Sequence, residues 1–126
     1  MKEPRRIYSN EVPNIIEDLN SGNWYYNYDV QSEEIEVHSI EDKEAVEKKT
    51  LYNYIQLKVS GKPTYKKCVE MLIREYISQS EEFDLINSAN KAILLGDTSS
   101  NDVVKYKEYL SKVEEIKEKV AKDLGK

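Results

Sequence analysis

Tyr65, Cys68, Val69, Leu72, Ile73, Tyr76 and Ile77 recur at i, i+3, i+4 and i+7 spacing without a miss. A row of this kind lies on one side of an α-helix and cannot be kept on one face of a strand, whose side chains alternate every second residue. Such a helix is stable only if its apolar stripe is covered, so the chain must supply a core to cover it. Thr64 stands where its hydroxyl can accept from a first-turn amide as the N-cap, and Ser78-Gln79-Ser80 interrupts the pattern.

A second helix is expected after that interruption, with Ser80 as its N-cap and Glu81, Glu82 and Asp84 in the first turn, where the helix dipole favours negative charge. Phe83, Ile86, Ala89 and Ile93 are expected to turn inward, with Leu85 beside them. Gly96 falls where a left-handed residue commonly ends a helix. A third helix begins at Ser99 or Ser100. It carries Val103, Tyr106, Leu110, Val113, Val120 and Leu124 at spacings of three and four, widened by Tyr109 and Ile116. The breadth of that stripe, and Lys117 within it, favour packing on the protein's own core over a coiled-coil seam.

The first half carries a different period. Trp24-Tyr25-Tyr26-Asn27-Tyr28-Asp29-Val30 is an aromatic run suited to a half-buried strand. Alternation puts Trp24, Tyr26, Tyr28 and Val30 on the core face, and Tyr25, Asn27 and Asp29 on the other. Leu51 to Val59 reads as a second strand, with Leu51, Ile55, Leu57 and Val59 on one face and Tyr52, Tyr54, Gln56 and Lys58 opposite; Gly61 and Pro63 end it. Asn20-Ser21-Gly22-Asn23 is a turn. Arg5-Arg6-Ile7-Tyr8 is a short apolar touch. Residues 12–16 read as an edge strand, because Pro13 lacks a ladder donor, or equally as the first turn of a short helix running to Leu19. Ile35, Val37 and Ile40 alternate with polar residues as a strand would, while Glu41 to Lys49 reads as an exposed loop or a short peripheral helix.

Strands followed by helices is the α+β order. The expected fold is a small N-terminal antiparallel sheet followed by three α-helices packed on it. All 126 residues form one domain in this reading, with 1–60 mainly strands and loops and 64–124 helical.

Composition narrows the function. The net charge is −5; residues 1–50 hold 6 basic and 12 acidic side chains, and residues 51–126 hold 13 and 12. Neither half clusters Lys and Arg as phosphate neutralisation requires, so no nucleic-acid partner is expected. The first residues lead into no apolar signal region and no run approaches a membrane span, so no membrane partner is expected and the reading is a cytoplasmic protein. Cys68, the single cysteine, rules out an intrachain disulfide.

Several apparent sites fail on chemistry. Gly61-Lys62-Pro63-Thr64 resembles the end of a phosphate-binding loop, but the earlier glycine is missing and Pro63 removes an amide donor. His38, the only histidine, has no activated nucleophile within recognisable spacing, and one Cys with one His makes a zinc site improbable. Cys68 lies on the apolar helix stripe, where a thiol acts as a small hydrophobe. The pairs Glu33-Glu34, Glu81-Glu82 and Glu114-Glu115 point apart rather than converging across a cleft. No catalytic, cofactor-binding or metal-binding residue is therefore assigned, and no enzymatic activity is expected.

The ten tyrosines are a richer signal. If Leu51, Ile55 and Leu57 face the helices, Tyr52 and Tyr54 face away, in a patch that can include Tyr25. Exposed tyrosine gives large contact area with few rotors to freeze, so Tyr25, Tyr52 and Tyr54 form the candidate partner surface. The competing reading is a second small core under residues 31–50.

Pro63-Thr64-Tyr65-Lys66-Lys67-Cys68-Val69-Glu70-Met71-Leu72-Ile73-Arg74-Glu75-Tyr76-Ile77 and Glu81-Glu82-Phe83-Asp84-Leu85-Ile86-Asn87, with Tyr106-Lys107-Glu108-Tyr109-Leu110 and the Trp24 to Tyr28 strand, resemble small uncharacterised proteins of phages and prophages of Bacteroides-like gut bacteria. The resemblance implies a structural or assembly context, such as tail-associated genes, and assembly into a phage particle; it carries over no functional residue. The expected function is thus non-enzymatic protein–protein interaction, with a protein partner and no cofactor. The alternative is a small-molecule or peptide-binding module whose pocket floor is the aromatic strand face.

Overall fold

The sheet is built around one long hairpin. In the computed structural model, which describes residues 1–38 and 46–125, strand β3 (Asn23–His38) pairs antiparallel with β4 (Val46–Ser60). Two short strands flank the pair: β1 (Ile7–Ser9) lies against β4, and β2 (Ile16–Asp18) against β3, in the order β1-β4-β3-β2. Helices α1 (Tyr65–Tyr76), α2 (Gln79–Leu94) and α3 (Asn101–Asp123) follow. The class is α+β, a four-stranded antiparallel sheet preceding three helices. The chain divides into two compact units, Arg5–Pro63 and Met1–Pro4 with Thr64–Lys126. The change falls at Pro63, where the sequence passes from strand to helix period.

In the sheet unit, Trp24 stands opposite Val59, Tyr26 opposite Leu57 and Tyr28 opposite Ile55. Directly opposed residues share a face, and Tyr26, Tyr28, Ile55, Leu57 and Val59 are all buried there. The rings of Tyr26 and Tyr28 meet edge to face at 6.1 Å, the arrangement the ring quadrupole favours. Val30 departs from the expected alternation. Tyr28 pairs with Ile55 but Gln31 pairs with Asn53, so Asp29 and Val30 stand together opposite Tyr54. This is a β-bulge: it breaks the two-residue period and leaves Val30 39% exposed.

Of residues 12–16 only Ile16 is strand: β2 runs Ile16–Asp18, so neither an edge strand over 12–16 nor a short helix to Leu19 forms, and Pro13 lies before the strand. The approach to it is pinned by buried Asn27, whose Nδ2 donates to the Asn14 carbonyl at 2.7 Å and whose backbone N–H donates to Ile15 at 2.8 Å. In the turn before β3, Asn20 and Gly22 both have positive φ. Residues 46–49 are strand, not the loop or helix their charge implied. Glu36 stands opposite Lys48 and Glu34 opposite Thr50, so the charged residues sit in cross-strand positions on a ribbon open to water on both faces. Ile40 and residues 41–45 lie outside the described residues.

In the helical unit the caps are Thr64, Ser78 and Ser100, each hydroxyl accepting from the amide three residues on. The second helix thus starts two residues earlier than Ser80 would allow. Ser78 with Glu81 has the S-x-x-E spacing of a capping box, a signal legible in the sequence. α3 packs against both α1 and α2. Cys68, Val69, Leu72, Tyr76 and Ile77 are buried, as the stripe required, with Ala89 on α2 and Val103, Tyr109, Ile116 and Val120 on α3. Gly96 takes φ +78° after α2.

Candidate functional site

The three sheet tyrosines share one face without forming a patch. Tyr25 stands opposite Lys58, and Tyr54 and Tyr52 lie four and six residues from Lys58 along β4, about 13 and 20 Å at ~3.3 Å per residue. The Asn27–Gln56 pair, joined by a 3.1 Å bond from Gln56 Nε2 to Asn27 Oδ1, fills the space between. Tyr25 and Tyr52 are half-buried, and Tyr54 is only 7% exposed, opposite Ile7 of β1. The expectation that Tyr54 faces solvent is therefore corrected: β1 adds a third strand alongside it, which its short apolar run only hinted at.

The bulge beside Tyr54 is held by a group that pattern reading passed over. Asp29 sits in the left-handed region at φ +54°, a conformation that costs an L-residue roughly 1–2 kcal/mol and that Asp tolerates better than most. Arg6 grips it. Nη1 donates to Asp29 Oδ2 at 3.1 Å and Nη2 to the Asp29 carbonyl, while Nε donates to Asn53 Oδ1 and Nη2 to the Asn53 carbonyl at 3.3 Å. Gln31 Nε2 also donates to Asp29 Oδ2, at 3.0 Å. One guanidinium thus spans both strands at the irregular point, a use that depends on its rigid fork of donors. The arrangement fixes backbone geometry and leaves no group free for chemistry.

Beyond the bulge the β3–β4 ribbon continues with Glu33, Glu34, Glu36 and Val37 exposed on one strand and Glu47 to Thr50 on the other. Its edges carry charge, which opposes pairing with further strands.

A polar cluster ties the three helices. Glu82 of α2 accepts from Arg74 Nη2 of α1 at 2.9 Å and from the hydroxyl of Tyr109 of α3. The Arg74 hydrogen bond holds the Glu82 carboxyl below its ordinary range, against burial, which acts the other way. Burial, then the bond to Glu82, pushes the Tyr109 phenol up to about 12. Burial also raises the Cys68 thiol to about 11, so at neutral pH it stays protonated. Among the described residues no group of three or more His, Cys, Asp or Glu side chains could hold a metal ion, and no helix is long and apolar enough to cross a membrane.

With α2 anchored in this way, its outer surface is unusual. Phe83 and Ile93, expected to turn inward, are 55% and 45% exposed, and Leu94 is 86% exposed. Only Ala89 of α2 is buried. At ~100° per residue Ala89 lies about 120° around the helix from Phe83, whereas Leu94 lies within about 20° of it. The apolar residues of α2 therefore form two arcs: Phe83 and Leu94 share the one that faces water, while Ile93, about 40° from Ala89, lies at the edge of the packed side. Leu110 of α3, also expected inward, is 44% exposed, its place in the core taken by Tyr109 and Ile116. Phe83 and Leu94 thus leave an apolar arc of α2 open to water. No family model, curated protein or solved structure matches the chain.

Proposed function

We propose that the chain works by binding another protein chain through the outer face of α2, with no catalysis of its own. The observation that carries this reading is the exposure of Phe83 and Leu94, about 20° apart around α2, on a helix tied to its neighbours through Glu82. A face held in place before binding loses little conformational entropy when it is covered. The resemblance of residues 63–87 to phage and prophage proteins supports a structural or assembly role within that reading, with synthesis in the cytoplasm and incorporation into a particle.

The test is affinity purification from cells carrying the native gene cluster, comparing the wild-type chain with Leu94→Glu. Leu94 is almost wholly exposed, so the substitution leaves the fold intact, which circular dichroism verifies. Loss of a specific partner with Leu94→Glu is the expected result. An unchanged set of partners would remove α2 from consideration.

A further inference from the structure

We draw no further inference here: the strongest candidate, the apolar arc of Phe83 and Leu94 on the outer side of α2, carries none, because nothing in the structure shows what covers it.

Discussion

Replacing Arg6 by methionine isolates the group that holds the β-bulge. The substitution keeps most of the aliphatic stem and removes the donors that Arg6 supplies to Asp29 and Asn53. The ion pair itself is about a fifth exposed on each side, at 23% and 21%, so solvent screening limits its contribution to ~0.5–1 kcal/mol. Asn53 is 9% exposed, and leaving its side-chain oxygen without a donor costs a further ~1–2 kcal/mol. The expected loss is about 1.5–3 kcal/mol. Asp29→Gly supplies the internal control. In the wild-type background it relieves the left-handed strain, ~1 kcal/mol, but loses a comparable ion pair, so stability should barely change. In the Arg6→Met background the ion pair is already gone and only the exposed Gln31 bond is lost with the carboxylate, so the same substitution should stabilise by up to about 1 kcal/mol. Urea unfolding followed by fluorescence reads this directly, because the single tryptophan, Trp24, lies in the sheet unit. If Arg6→Met costs under ~0.5 kcal/mol, or Asp29→Gly has the same effect in both backgrounds, the clamp does not do what its geometry implies.

Further outcomes follow from burial and from titration. Leu72→Ala, at a fully buried site, should cost ~2–5 kcal/mol in chemical denaturation. Tyr54→Ala should cost ~3 kcal/mol, whereas a solvent-facing tyrosine would cost almost nothing. Because the folded Tyr109 phenol is raised from 10.0 to about 12, its contribution is fully present below pH 10 and is lost as pH rises toward 12. Tyr109→Phe should flatten the stability profile in that window, and a profile unchanged by the substitution counts against the Glu82 bond. Cys68 should resist a thiol reagent in the native protein at pH 8 and react at once in denaturant; fast native labelling would contradict its burial.

The parts of the fold visible in the sequence are those where one period held and one face was covered. The Tyr65 to Ile77 stripe has no competing arc, so five of its seven residues are buried and Tyr65 and Ile73 half-buried at its margin, and the Asn20 to Gly22 turn announces itself by residues that accept positive φ. The strand at residues 46–49 was hidden because both of its faces are wet: without an apolar side, alternation leaves no trace in Glu47-Lys48-Lys49. The bulge was hidden for another reason. Asp29 and Val30 look like two ordinary steps of a strand, and only the long-range grip of Arg6 shows that one of them is extra. On α2 the periodicity registered that apolar residues were present but not which arc was packed. Phe83 and Ile93 read as inward because large side chains usually are, whereas the position fully buried on α2 is Ala89. The candidate surface therefore moved from the sheet tyrosines to the second helix, driven by exposures that no pattern in the chain encodes.

The claim on which the functional reading depends is that the outer arc of α2 is an interface, and amide correlation spectra recorded with and without the partner recovered by affinity purification map it residue by residue. Shifts confined to residues 83–94, saturating together, are the expected result. Shifts gathered instead on the β3–β4 ribbon or along α3 would contradict it.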